Sequence, residues 1–187
     1  AMYANYGSMV TVLEYGTDFL PREDRDIANV IQTRLEALGI RLVFNAQVEE
    51  ITDENDQTTV GYLDRSSGDH VTLPADAVLI ATGRKASTAE LDLEAAGVKM
   101  NERGEIIVNE LLQTNVPHIW ALGDVKGGLQ FTYISLDDSR IIKDQLWGDG
   151  KRTATNRGPI PYSMFLDPVF ARVGLNETEA LQAGHKI

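Results

Sequence analysis

Residues 23–38 (EDRDIANVIQTRLEAL) repeat apolar side chains at helical spacing, with Ile27, Val30, Ile31, Leu35 and Leu38 on one stripe. Acids crowd the first turn, where the helix dipole favours them, and Gly39 follows the last turn. The segment is predicted to be an amphipathic helix. Upstream, MYANY (2–6) reads as the end of a helix closed by Gly7. SMVTVLE (8–14) reads as a short buried strand built on Val10, Val12 and Leu13. IRLVFN (40–45) reads as the next strand. Residues 46–52 and 58–65 alternate as solvated antiparallel strands, with DENDQ and SSGD as turn clusters. HVTLPADAVLIATG (70–83) brings the chain back, and its apolar run Ala77–Ala81 predicts a strand buried on both faces. Further on, Ile119–Leu122 reads as a short buried strand, KGGLQ (126–130) as a turn, and TYISLDDSRIIKDQLW (132–147) as a helix.

Parallel strands followed by an antiparallel meander that rejoins the sheet predict an α/β fold. A helix leading into a strand that closes on an acid matches the second half of a Rossmann unit. There the acid, here Glu14, accepts hydrogen bonds from an adenosine ribose. That acid stands about 20 residues after the glycine fingerprint. Counting back from Glu14 runs off the front of the chain, so the first strand and the phosphate loop are expected upstream. A solvated strand-end acid and a methyltransferase-type ribose contact are the alternatives for Glu14. With a dinucleotide, Glu14 predicts NAD over NADP. A carboxylate repels a 2′-phosphate, and Tyr15 and Gly16 supply no basic replacement.

Composition narrows the partners. The 187 residues carry 17 Lys and Arg against 28 Asp and Glu, a formal charge of −11, which argues against nucleic acid and anionic membranes. No apolar run approaches the length of a membrane span, and no signal-peptide order opens the chain, so a cytoplasmic protein is expected. Cysteine is absent, which leaves no thiolate nucleophile and no cysteine-bound metal within these residues. No metal-ligand set is read elsewhere.

Three motifs carry more specific information. Residues 80–88 read IATGRKAST, 114–124 read TNVPHIWALGD, and 160–181 read IPYSMFLDPVFARVGLNETEAL. In this order they resemble the flavin-dependent pyridine nucleotide–disulfide oxidoreductases: glutathione reductase, dihydrolipoamide dehydrogenase and mercuric reductase. The first is similar to the stretch leading from the NAD domain back to the FAD domain. The second is similar to the later FAD fingerprint, and the third to the start of the interface domain. The resemblance implies partial Rossmann-like FAD- and NAD(P)-binding domains, a parallel sheet plus antiparallel meander, and the start of an α+β interface domain. It implies a division into 1–85, 86–152 and 153–187.

It also implies site residues. Asp124, delivered by Gly123, would accept a hydrogen bond from a ribityl hydroxyl of FAD, with a turn cap as the bland alternative. Gln130, Phe131 and Thr132, at the start of the 132–147 helix, would meet the flavin N1–C2=O edge. Val48 would offer a backbone contact to the NAD adenine, or be only a packed strand residue. Gly83 would approach the nicotinamide half. Arg84 would contact a cofactor or pair with acids. The QFTY run (130–133) most resembles the mercuric reductase branch. Departures exist: Ala86 and Ser87 replace the usual Pro-Asn, and Leu166, Asp167 and Phe170 are atypical in their stretch.

No residue here is assigned as nucleophile or general base. The three histidines match no acid–base motif. His70 is read in the meander, His118 at the start of a buried strand, and His185 in the tail. The expectation is part of an FAD-dependent NAD(P)H oxidoreductase, inactive as this chain alone, binding neither cofactor tightly and colourless when purified. An open sheet edge predicts a homodimer or higher oligomer. The competing expectation is a catalytically silent nucleotide-binding or oligomerisation module.

Overall fold

The computed structural model describes residues 1–55 and 57–187. Asp56, within the predicted turn cluster DENDQ, lies outside the described residues. The chain opens with α1 (Met2–Asn5), which Gly7 closes at φ 91° while the Ser8 N–H donates back to the Tyr3 carbonyl. β1 (Thr11–Leu13), α2 (Arg25–Ala37) and β2 (Arg41–Val43) follow. β1 and β2 pair in parallel, with Thr11 opposite Arg41 and Leu13 opposite Val43. The buried face of α2 is Ala28, Ile31 and Leu35. Those positions repeat at helical spacing, so Ile27 and Val30 fall beside the stripe instead of on it. Val30 is 68% exposed. β1 also departs from expectation. It has one paired edge, and Thr11 and Val12 stay exposed.

β3 (Ala46–Glu54), β4 (Gln57–Asp64) and β5 (His70–Ala75) form the antiparallel meander. The register shifts between Val48 and Glu50, a bulge that bends β3 near its start. Asn55 takes φ 52° at the β3–β4 turn, a conformation asparagine tolerates. In the β4–β5 turn the Asp64 carboxylate accepts hydrogen bonds from the Ser66 N–H and hydroxyl, which hold its pKa below the ordinary value.

The predicted strand at Ala77–Ala81 is corrected. It belongs to none of the sheets of the described residues, and Leu79 is 77% exposed. A strand buried on both faces needs partners along both edges. None of the described strands pairs with this run, so its apolar side chains face out.

Beyond it lie a 3₁₀ turn (Gly123–Lys126), α3 (Thr132–Trp147), β6 (Tyr162–Met164), β7 (Phe170–Arg172) and α4 (Glu177–Gln182). The chain divides into two compact units: residues 1–80 with 161–187, and residues 81–160.

The first unit is built on Ile31, Leu35 and Ile40. Met164, Leu166 and Phe170 from the β6–β7 hairpin pack against them, although well over a hundred residues separate the two segments. Polar bonds tie the same pieces together. The Tyr162 hydroxyl donates to the Glu23 carboxylate. Arg172 lies 3.7 Å from Glu23 and 3.6 Å from Glu179. Asn176 caps α4 through a reciprocal bond with Glu179, and its amide donates to the Arg22 carbonyl. The Arg34 Nε donates to the Asp167 carbonyl at 2.9 Å.

The second unit packs Val98, Ile106 and Ala121 with Leu93, Val108, Val116, Ile119 and Val125. The strand predicted at Ile119–Leu122 reduces to a single bridge, Gln113 to Trp120. Ala121 is buried, but Leu122 and His118 are exposed, because only one short partner lies alongside.

Burial and the neighbouring Glu23 carboxylate push the Tyr162 phenol up to about 12. A phenol whose pKa is higher folded than unfolded favours folding while protonated. The contribution is complete below pH about 10 and drains away as pH rises towards 12. The stability gap between wild type and Tyr162→Phe is therefore expected to shrink across that window. Denaturant melts at stepped alkaline pH check this.

Candidate functional site

A glycine turn frames the second unit. Gly123 has φ 70°, and a methyl group at its Cβ position would lie 2.8 Å from the Ser135 hydroxyl. Glycine is thus required twice, by backbone conformation and by contact with α3. Gly123 and Asp124 open the 3₁₀ turn, and the Gly127 N–H closes it on the Asp124 carbonyl at 3.0 Å. Gly127 and Gly128 both stay left-handed, and any Cβ on Gly127 would overlap the Glu105 carboxyl.

The chain then reaches α3, whose N-cap is Phe131, a residue with no hydrogen-bonding side chain. The Phe131 and Tyr133 rings stack with centroids 5.2 Å apart. Arg84 joins these pieces. Its guanidinium pairs with the Asp124 carboxylate and makes a long 3.5 Å contact to the Gln130 carbonyl. Gly83, just before it, has φ 133°. The structure therefore gathers Arg84, Asp124 and Gln130 at one place, with Phe131 and Thr132 following at the helix start.

The sequence reading missed a buried charged network. Asp138 in α3 is fully buried, and its Oδ2 accepts the Gly123 N–H at 2.9 Å. The Arg157 guanidinium donates to its Oδ1 at 2.7 Å, and the Lys126 Nζ lies 3.3 Å from Oδ2. Two cations and a backbone N–H thus offset the cost of burying the charge. Beside it, Asp137 pairs with Arg152 at 2.8 Å and with Arg157 at 3.5 Å. One sequence signal existed. Asp138 stands on the same stripe as Ile134 and Ile141, where an acid is out of pattern.

Glu14 and Val48 belong to the first unit. Glu14 lies exposed just past β1, and its carboxylate accepts the Gly16 N–H at 2.8 Å. The Ala46 N–H donates to the Glu14 carbonyl, so β3 starts beside this acid. Val48, two residues on, sits at the register shift of β3 and is 46% exposed. A cation also arrives here from a distance. The Arg65 guanidinium lies 4.2 Å from the Tyr15 ring centre and donates to the Tyr15 carbonyl at 3.3 Å. The sequence placed no basic residue directly after Glu14; the β4–β5 turn brings one to Tyr15. His70 pairs with Glu49 at 2.9 Å, and His185 is exposed.

The arrangement offers an acceptor carboxylate beside a helix start and an acid beside a strand end. The chain as a whole is similar to known proteins. The family model described as pyridine nucleotide-disulphide oxidoreductase matches residues 1–139. The chain is 49% identical over 187 residues to a probable pyridine nucleotide-disulfide oxidoreductase, RclA of Escherichia coli strain K12, covering all of this chain and 41% of that protein. It is 34% identical to a mercuric reductase of Staphylococcus aureus, covering all of this chain and 34% of that protein. It is also 34% identical to a dihydrolipoyl dehydrogenase of Geobacillus stearothermophilus, covering 97% and 38%. A solved structure of the HOCl-induced flavoprotein disulfide reductase RclA from Escherichia coli superposes with a TM-score of 0.90, at 49% identity, covering 98% of this chain and 41% of that one. The chain thus spans about two fifths of the length of the relatives it matches.

Gly123→Ala is expected to lower stability by about 1–3 kcal/mol for the left-handed backbone alone, with the Ser135 contact added. Gly123→Ala combined with Ser135→Ala recovers only the contact part. Denaturant unfolding of both variants checks the split.

Proposed function

This chain belongs to the pyridine nucleotide–disulphide oxidoreductases, and from that premise we propose that it is part of a protein that passes electrons from NADH through FAD to a disulfide or similar acceptor. The observation that carries the reading is the Asp124 carboxylate, set by a glycine turn and paired with Arg84 where α3 begins.

These residues fit the flavin. Asp124 is an acceptor with more than a third of its side chain open to solvent, able to take a hydroxyl hydrogen bond. The left-handed pair Gly127 and Gly128 keeps the intervening turn free of side chains. The N-terminal end of α3, at Gln130, Phe131 and Thr132, favours negative charge on a ring edge placed against it. When bound, FAD supplies the two-electron step between nicotinamide and acceptor. Arg84 orients Asp124 and holds the 83–84 segment to the helix start. In the first unit Glu14 would receive the adenosine ribose, with Val48 as a backbone contact to the adenine; in the second, Gly83 would approach the nicotinamide half.

NAD over NADP is part of this proposal. Glu14 supports it, because a carboxylate repels a 2′-phosphate. Arg65 beside Tyr15 counts the other way. We assign 1–85 to the later NAD domain, 86–152 to the later FAD segment, and 153–187 to the start of the interface domain. A homodimer is proposed on the exposed apolar residues Phe165, Val169, Val173 and Leu175 in that last segment. A cytoplasmic location is proposed on the acidic charge balance. Among the described residues, no helix is long and apolar enough to cross a membrane.

Fluorescence titration of the full chain with FAD tests the flavin reading. Asp124→Ala is expected to weaken binding by about tenfold, the scale of a lost charged hydrogen bond. A wild-type protein that binds no FAD would overturn it. Glu14→Ala is expected to lower the Kd for NADPH relative to NADH by about tenfold, on removal of one like charge. Equilibrium titration with both nucleotides measures the ratio.

A further inference from the structure

We propose that Asp138 is a positioning residue for the flavin, acting through the Gly123 N–H; this rests on the flavin reading above. The inference starts from a mismatch. The buried stripe of α3 runs Ile134, Asp138, Ile141, and Asp138 has no exposed surface. A core position on such a stripe is served most cheaply by leucine or isoleucine, since burying a carboxylate costs several kcal/mol before compensation. The carboxylate is retained where one of its oxygens takes a single backbone donor, Gly123, 15 residues earlier.

That donor belongs to the residue immediately before Asp124. Asp138 therefore links the two proposed flavin contacts, the Asp124 carboxylate and the N-terminal end of α3. The two elements are already in tight contact at Gly123 and Ser135, and the hydrogen bond fixes the direction in which the turn leaves that contact. Lys126, on the same 3₁₀ turn, reaches the same carboxylate oxygen at 3.3 Å. The turn is thus gripped at both ends by one side chain of α3. Arg157 holds the other oxygen at 2.7 Å and donates through Nε to the Ala154 carbonyl, which keeps the carboxylate from rotating. Asp138 touches no cofactor in this arrangement. Its effect passes through backbone.

The test compares three variants of the full chain by FAD dissociation constant, flavin absorbance and thermal melting. Asp138→Ala removes the acceptor and is expected to raise the FAD dissociation constant by about tenfold in the folded protein. Asp138→Asn keeps an oxygen for the Gly123 N–H but loses the charge facing Lys126 and Arg157; an increase of about threefold is expected. Ile141→Val, one turn along the same buried face, lowers stability without touching the turn and is expected to leave the constant unchanged. If Asp138→Ala does not fold, Asp138→Asn decides: a weaker constant with a shifted flavin band supports the proposal. Wild-type FAD affinity in folded Asp138 variants, with only the melting temperature reduced, overturns it. A wild-type protein that binds no FAD overturns the flavin reading instead.

Discussion

The second unit is organised by the capture of one backbone N–H by one buried carboxylate. Gly123 can take its left-handed conformation because it lacks a Cβ, and it presses on Ser135 for the same reason. That closeness brings its N–H within 2.9 Å of Asp138. An uncompensated carboxylate there would be strongly destabilising, so Lys126 and Arg157 are drawn in, and Arg157 in turn faces Asp137. Asp124, on the open side of the same turn, is left with Arg84 and solvent. The burial of one acid and the availability of its neighbour in the turn follow from a single geometry.

Much of the secondary structure was legible because its signals are local. The 25–37 helix has acids at its start, an apolar period and a terminal glycine, and it forms as read. The meander strands alternate, and they pair in the expected order. Errors fell where periodicity alone had to decide burial. Ile27 and Val30 are apolar but lie one helical step away from the Ala28–Ile31–Leu35 face. Ala77–Ala81 is wholly apolar, yet burial of a strand depends on neighbours, and no described strand pairs with it. Val12 fails for a similar reason, since β1 is paired along one edge.

The site was legible where a motif is contiguous. Gly123 and Asp124 sit side by side in sequence, and so do Gln130, Phe131 and Thr132. Contacts assembled by folding were not legible. Asp138 joins Lys126 and Arg157 across more than 30 residues of chain, and Arg65 meets Tyr15 across 50. Nothing in local spacing marks such partners, apart from an acid standing on an apolar stripe. The capping acid of α2 is a parallel case. Asp24 precedes the helix as a cap should, but its carboxylate accepts the Glu177 N–H of α4 instead of an N–H of its own helix.

The composition of the first unit has a consequence for how the chain is made. Glu23 reaches Tyr162 across 139 positions, and Arg22 reaches Asn176 across 154. Residues 81–160 form a separate compact unit between these partners. During synthesis, α2 and β2 leave the ribosome long before the hairpin that covers Ile31, Leu35 and Ile40. The intervening unit has its own core and is free to fold meanwhile, as an insert that shortens the effective loop to be closed. Until β6 and β7 emerge, this core has only its local partners, among them Val10, Phe19, Leu20 and Leu42, and lacks Met164, Leu166 and Phe170. The order of translation therefore brings the β6–β7 hairpin late to a core begun at α2, and that side of the core stays open in between.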